Sequence, residues 1–491
     1  VTGVMAVIVL GSIYYLYATA TSELAPQEDQ GVLISVAFNN PTATVDQRQL
    51  YARQVYETFV RHPETEHVFQ LNTPAQVIGG MVLKPWDERR QTTNELQPVL
   101  QQQLGQIAGS QIAVFQPPSL PGARGLPVQF VLTTTEPFSK LYEVSQEFLN
   151  EALKSGQFIF LQSDLRIDLP QTRIDIDRDM AAQLGLNMED IGSALSAMLG
   201  GGYVNFFDLD GRSYKVIPQV EQRFRLNPDQ LRYYFLRTAS GSMVPLSTVV
   251  HLKNVVQPES INHFQQANSA TIQGVPMPFI SQGQALDHLT QLAKRTLPAG
   301  YGFDYAGPAR QFEQESGGLV LTFFFALVII FLALAAQFES FRDPVIILVS
   351  VPMAISGALL FINLGVGRAT LNIYTEVGLV TLIGLISKHG ILIVEFANNL
   401  QREGQSKREA IERAAGLRLR PILMTTGAMV LGVIPLITAS GAGAISRFNM
   451  GLVIAAGLSI GTLFTLFVVP AMYMMLGAVH SGAAQPHTVD T

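Results

Sequence analysis

The 491-residue chain contains no cysteine. Disulfides, thiolate zinc sites and thiol redox chemistry are therefore excluded. It is also poor in charge: 14% of its residues are Asp, Glu, Lys or Arg, and the net charge is only -6. That balance gives no reason to expect nucleic acid as a partner. No phosphate loop, zincin motif or dinucleotide fingerprint occurs. No cofactor is expected, and any transport needs an energy source other than an ATP site in this chain. His62, Glu64, Glu66 and His67 cluster, but their spacing fits no standard metal site, and they join a helix to a strand. Metal is not expected there. The sequence Gly457-Leu458-Ser459-Ile460-Gly461 has nucleophile-elbow spacing. It lies inside an apolar run and not at a strand–helix turn, so it reads as a helix-packing face. With no catalytic constellation left, the chain is not expected to be an enzyme.

Long apolar runs are abundant. A helix needs about 20 mostly apolar residues to cross a bilayer. Six windows qualify: 1–20, 319–336, 345–364, 377–397, 422–438 and 450–476. The first begins at Val1 without a basic n-region. It reads as a membrane span and not a signal peptide, and the sequence as a fragment starting just before that span. The loop from Asn398 to Arg420 carries Arg402, Lys407, Arg408, Arg413, Arg418 and Arg420, whereas opposing loops carry Arg368 and Arg447 alone. The basic loop is therefore expected on the cytoplasmic side, and 22–318 outside the cytoplasm. Residues 407–415 read as a short amphipathic helix on the inner surface, and Pro421 as first-turn proline of the fifth span.

Between the first two spans, strand and helix patterns alternate in βαβ cycles: 32–38, 47–60 and 67–71; 80–83, 95–104 and 111–115; 128–133, 139–153 and 158–161; 270–273, 285–295 and 302–305. Such cycles predict small α/β sandwiches. The stretch 172–258 breaks the rhythm with a three-glycine run and a hairpin around Asp208–Gly211, and reads as an inserted subdomain.

The fourth span holds Lys388 near its middle, with Glu395 seven residues on and nearly on the same face. A charge at bilayer centre costs about 2.5–3.5 kcal/mol or more, so Lys388 should face a partner or water. A structural salt bridge is the bland alternative, and for Glu395 it is snorkelling to the interface. The fifth span opens Arg418-Leu419-Arg420-Pro421 and continues Ile422-Leu423-Met424-Thr425-Thr426. Its arginines serve equally as headgroup anchors, and Thr425 either back-bonds to its own helix or reaches towards Lys388.

These blocks carry a family resemblance. The chain resembles the C-terminal half of a resistance–nodulation–division (RND) multidrug efflux transporter of the hydrophobe–amphiphile, AcrB/MexB-like type. The match runs from Glu23-Leu24-Ala25-Pro26-Gln27-Glu28-Asp29-Gln30-Gly31 through Leu297-Pro298-Ala299-Gly300 and Gly384-Leu385-Ile386-Ser387-Lys388 to the last span. It is strongest over 377–397, and the Arg418 to Thr425 block adds to it. The resemblance implies a six-helix membrane bundle plus α+β periplasmic porter and docking subdomains: 1–21 first span, 22–124 porter, 125–171 and 259–316 second porter, 172–258 docking insert, 317–479 five spans and 480–491 cytoplasmic tail. It implies proton-driven export of amphiphilic drugs or biocides from the Gram-negative inner membrane. The implied partners are two further copies in a trimer, an N-terminal half bearing relay aspartates, a periplasmic adaptor and a TolC-like channel.

Position by position, the resemblance assigns Lys388, Thr425 and Arg418 to the proton relay, with Glu395 beside them. It assigns Phe69 and Leu71 to a substrate pocket, and Val128, Phe130 and Leu132 to the strand lining its access side; ordinary strand packing is their alternative. Two departures stand out. No aspartate falls within the six windows, and the loop 72–80 looks shorter than the family's glycine-rich gating loop. A heavy-metal exporter of the same superfamily would use porter methionines such as Met81 and Met277, but places an acid where Lys388 stands. A protein-secretion accessory would lack the docking insert.

Overall fold

The computed structural model describes residues 2–73, 76–120, 125–278, 280–316 and 318–479; the tail assigned to 480–491 lies outside them. Helix α1 (Thr2–Thr19) has no acidic residue in its first turn and no basic one in its last. Two α/β layers of one design follow. The first runs β1 (Val32–Asn39), α2 (Val45–Val60), β2 (Thr65–Asn72), β3 (Val77–Leu83), α3 (Thr93–Leu104) and β4 (Ser110–Phe115). Its sheet order is β2-β3-β1-β4, with every pairing antiparallel. Strands β1 and β2, which flank α2, therefore run parallel with β3 between them. This is a split βαβ arrangement, not one in which a helix joins adjacent strands.

The period of two decides which face is covered. Leu33, Ser35, Ala37 and Asn39 of β1 are buried while their neighbours are less so. Phe59 of α2 and the stripe Leu96, Leu100 and Leu104 of α3 complete that core. Both helices start at side-chain caps: Thr44 accepts from Gln47 N, and Thr92 with Glu95 forms a capping box.

The second layer opens with β5 (Val128–Thr134), α4 (Phe138–Lys154) and β6 (Phe158–Ser163). The chain then forms a separate compact unit, Arg166–Ser260. There β7 (Leu169–Ile176) is followed by α5 (Arg178–Gln183), α6 (Met188–Leu199), the hairpin β8 (Asn205–Leu209) and β9 (Arg212–Val216), β10 (Phe235–Arg237), β11 (Met243–Pro245) and β12 (Val250–Gln257), which pairs back with β7. Ile191, Leu246 and Val249 centre its core. Asp210 and Gly211 adopt positive φ, 51° and 74°, as a two-residue hairpin turn requires.

The second layer resumes with β13 (Asn262–Phe264), β14 (Ala267–Pro276), α7 (Gln282–Thr296) and β15 (Tyr301–Tyr305). Its antiparallel order β6-β14-β5-β15, with β13 beside the start of β14, repeats the first layer's topology.

Helices α8 (Gly307–Ser316), α9 (Gly318–Phe338), α10 (Arg342–Leu348), α11 (Ser350–Asn363), α12 (Ile373–Arg402), α13 (Lys407–Ile437) and α14 (Ala444–Leu476) complete the described chain. Among the described residues, five segments are long and apolar enough to cross a membrane: Leu321–Phe338, Arg342–Asn363, Ile373–Arg402, Lys407–Ile437 and Ala444–Leu476. Helix α14 packs against α11, α12 and α13. A Cβ on Gly457 would lie 2.2 Å from Leu382 Cδ2, and one on Gly461 2.7 Å from Ala354 Cβ. The Gly457–Gly461 spacing is thus a close-packed helix face.

Two expectations need correction. Residues 407–415 are not a separate surface helix, because α13 is a single 31-residue helix with Pro421 in its interior. Ser406 and Glu409 cap its start, and proline's fixed φ suits a helix even where its missing N–H costs a bond. Asp343 lies in the first turn of the Arg342–Asn363 segment, 1% exposed, just ahead of the window that made the spans look free of aspartate.

Candidate functional site

Helix α12 starts where Asn372 accepts hydrogen bonds from Tyr374 N and Thr375 N. Its inward residues Leu379, Leu382, Ile383, Ile386, Ile393 and Val394 are buried. That stripe leaves Lys388, at the helix midpoint, and Glu395 together on the exposed face. Among the described residues neither has an ion-pair or hydrogen-bond partner. The fixed salt bridge to Lys388 that would be the bland alternative is absent among the described residues.

The neighbours of Lys388 point inward. Ser387 Oγ donates to Ile383 O at 2.7 Å. His389 is wholly buried, with Nε2 3.3 Å from Thr426 Oγ1 and Nδ1 3.3 Å from Thr462 Oγ1, the two hydroxyls being 3.2 Å apart. This polar knot ties α12 to α13 and α14. Sequence reasoning missed it, although a histidine beside Lys388 was a visible signal. Thr425 Oγ1 donates back to Ile422 O at 3.0 Å, so its hydroxyl stays on its own helix. The Arg418 guanidinium lies 4.6 Å over the Phe396 ring, which places it against α12. Its Nε is buried without a hydrogen-bond partner.

A second network was also missed. Asn398 Nδ2 donates to Asp343 Oδ2 at 3.0 Å, Tyr473 OH donates to Asn398 Oδ1 at 2.6 Å, and Gln401 Nε2 donates to Tyr473 OH at 2.6 Å. It joins α10, α12 and α14 and pairs one oxygen of a buried carboxylate, while Asp343 Oδ1 has no partner.

The two α/β layers meet through an apolar face. On the sheet face turned away from α2 and α3, Ile34, Val36 and Phe38 pack against Leu126, Phe160 and Val275 of the second layer, with Phe38 and Phe160 stacked at 5.8 Å. Towards the edge strand β2 this cover ends. Phe69 and Leu71 are 46% and 57% exposed there. Gly80 lies opposite Phe69 in register, and a Cβ on it would come within 2.0 Å of the ring. The glycine is what lets the aromatic ring rest on the sheet. Asn72 pairs with Val77, so four residues join β2 to β3; Thr73 N donates to Gln76 O at 3.0 Å, and Pro74 and Ala75 lie outside the described residues.

Val128, Phe130 and Leu132 are fully buried in the second layer's core. Phe130 stacks on Phe148 at 5.6 Å and Phe303 at 5.2 Å, so packing accounts for these side chains. Met81 is enclosed in the first layer's core while Met277 is exposed, and the two share no site. Among the described residues no group of His, Asp or Glu converges as a metal site. Glu64 instead accepts from Arg90 N at 3.3 Å.

Where the layers meet the helices, a cavity of about 450 Å³ is lined by Glu23, Gln97, Gln116, Met277, Gln282 and Arg368, among others. Thr370 Oγ1 donates to Glu23 Oε1 at 2.6 Å. Burial pushes the Glu23 carboxyl up to about 7, against the lowering effect of that hydrogen bond.

Residues 1–477 match the family model described as the AcrB/AcrD/AcrF family. The chain is 42% identical over 484 residues to an uncharacterized transporter of Haemophilus influenzae, covering 97% of this chain and 47% of that protein. It is 32% identical over 498 residues to the toluene efflux pump membrane transporter TtgB of Pseudomonas putida, covering 98% and 47%. To the multidrug export protein AcrF of Escherichia coli it is 32% identical over 496 residues, covering 98% and 48%. The chain thus spans about half the length of the curated relatives it matches.

Proposed function

The chain belongs to the AcrB/AcrD/AcrF family, and from that premise we propose that it is the C-terminal half of a proton-driven exporter of amphiphilic molecules. In this reading α1 is a sixth span beside the five long segments, and the bundle sits in the inner membrane of a Gram-negative envelope. The α/β layers and the 166–260 unit are periplasmic, and the basic residues from Arg402 to Arg420 are cytoplasmic. The course of α12 supports this sidedness. Leu371 and Ile373, at its start, hydrogen-bond to the segment that leads from α1 into the layers. Its 30 residues then carry the chain about 45 Å away to Arg402. The working assembly is a trimer with a periplasmic adaptor and a TolC-like channel.

Lys388 is the observation that carries the reading. A cation at the midpoint of a span, exposed and without an ion-pair partner among the described residues, is unstable against lipid. It becomes stable beside carboxylates supplied by the remainder of the full-length transporter. Protonating those acids removes their charge, loosens the cluster and shifts helix packing, which is the elementary step of coupling. Arg418 and Thr425 on α13 and Glu395 on α12 shape the potential around that cluster. On the exposed edge of the first layer, Phe69 and Leu71 give apolar contact to substrates, with Val128, Phe130 and Leu132 stiffening the second layer. Lys388→Ala in the full-length transporter is expected to abolish export of dyes and biocides while the trimer still assembles. Wild-type resistance in cells carrying that variant would refute the proposal.

A further inference from the structure

One short stretch, 21–31, grips three elements at once. At its start, Leu371 N donates to Thr21 O at 2.8 Å, Glu23 N to Leu371 O at 3.1 Å and Ile373 N to Leu24 O at 3.3 Å. Together with the Thr370–Glu23 hydrogen bond, these pin the start of α12, the helix that carries Lys388.

Further along, Glu28 is 6% exposed and its carboxylate accepts from Ile445 N at 3.3 Å, from Ser446 N at 2.6 Å and from Ser446 Oγ. Those groups are the second and third positions of α14. That 33-residue helix has glycine at its N-cap, no side-chain cap and no acid in its first turn. A helix start leaves four N–H groups unsatisfied and carries partial positive charge. Glu28, 418 positions before Ser446, therefore supplies the anion that α14 lacks.

The next residue, Asp29, is 4% exposed and faces the first α/β layer. Its Oδ2 accepts from Thr93 N at 3.0 Å, the first residue of α3, and its Oδ1 accepts from Arg89 Nη2 at 3.0 Å and Gly31 N at 2.9 Å. Arg89 is itself held 3.8 Å over the Trp86 ring. Gly31 O then accepts from Leu83 N, at the end of β3, the strand that lies beside Phe69 and Leu71.

From this geometry we infer that 21–31 is the strap that transmits movement of α12 and α14 to the first α/β layer, with Glu28 and Asp29 as adjacent anchors to membrane helix and layer. The inference rests on the proposed export function and adds a positioning residue to it. Glu28 acts in this inference through its hydrogen bonds to the start of α14 and not through Lys388. These two consecutive side chains hold different elements, Glu28 the start of α14 and Asp29 the start of α3. An axial shift or tilt at the start of α14 that moves Glu28 therefore moves Asp29, and with it the start of α3.

The test uses the full-length transporter in energised cells and, purified, in detergent, with ethidium as probe. Wild type, Lys388→Ala, Glu28→Ala and Glu28→Gln are compared for the concentration dependence of extrusion, the ethidium Kd and trimer content. Glu28→Ala is expected to lower kcat by about tenfold or more, with KM and Kd changed by less than about twofold and the trimer intact. Glu28→Gln, which keeps an acceptor oxygen but loses the charge, is expected to fall between the two. Wild-type kcat in Glu28→Ala, beside a silent Lys388→Ala, would overturn the strap and leave the export reading standing. A wild type that extrudes no amphiphile would overturn that reading itself, and the strap with it. Failure of both Glu28 variants to assemble would also overturn the strap, since it makes Glu28 a folding requirement and not a transmitter.

Discussion

Replacing Gly80 with alanine asks whether the ring of Phe69 belongs to the surface that substrates touch. The added Cβ would lie 2.0 Å from both Cε1 and Cζ of Phe69. Carbon atoms rest about 3.5–4.0 Å apart, so the ring must withdraw by roughly 1.5–2 Å. It has room to do so, because Phe69 is 46% exposed on an edge strand. Roughly half of a ~200 Å² aromatic side chain is covered, which at ~25 cal/mol per Å² bounds the loss at ~2.5 kcal/mol. A ligand resting on the ring loses a part of this, about 1–1.5 kcal/mol, or near tenfold in Kd. The assay is fluorescence anisotropy of ethidium on the purified full-length transporter, with Gly80→Ala, Phe69→Ala and the double variant. If displacement of the ring is the whole effect, the double variant binds like Phe69→Ala alone. Fully additive losses, or an unchanged Kd in both single variants, would refute the reasoning.

Two further outcomes follow from the fold. Gly457→Val puts a branched side chain where a Cβ already meets Leu382 Cδ2 at 2.2 Å. Overpacking of that kind costs about 1–3 kcal/mol or more, and the expected result is loss of the monodisperse peak in size-exclusion chromatography. For Glu23, the folded-state carboxyl is raised from 4.5 to about 7 by burial. The folded protein then binds the extra proton between those values, so stability is greatest below pH ~4.5 and falls by ~3 kcal/mol as pH rises through ~7. Glu23→Gln should abolish that slope, read as denaturation midpoints at about pH 5 and about pH 8.

Much of the α/β architecture was legible because alternation and capping are local. The residues predicted as strand at 32–38 and 111–115 fall within β1 and β4, and Thr92-x-x-Glu95 starts a helix as a capping box should. Sheet order was not legible, since β3 comes between β1 and β2 through long-range pairing that no local period encodes. The continuity of α13 was hidden by Pro421, a residue that reads as a start yet is accommodated inside a long helix. At the site, Lys388 announced itself by its cost in lipid. The His389–Thr426–Thr462 knot and the Asp343–Asn398–Tyr473 chain did not, because each of those side chains is ordinary until three helices converge. The caps supplied by Glu28 and Asp29 were hidden for the same reason: each helix start they serve is distant in sequence.

Burial across the bundle also says which surfaces lipid can occupy. The apolar window of α14 is 61% buried and that of α12 56%, against 6% for α9 and 11% for α13. Helix α9 exposes Leu321, Phe324, Phe325, Ile329 and Leu332, side chains that hydrocarbon solvates without cost. The exposed face of α12 is different in kind, because it carries Lys388 and Glu395 two turns apart. Lipid tolerates the first surface and rejects the second. Exposure alone therefore does not mark a lipid-facing helix; the chemistry of what is exposed does. In the proposed transporter the α9 surface faces the bilayer, and the Lys388 face receives the half that brings the relay carboxylates.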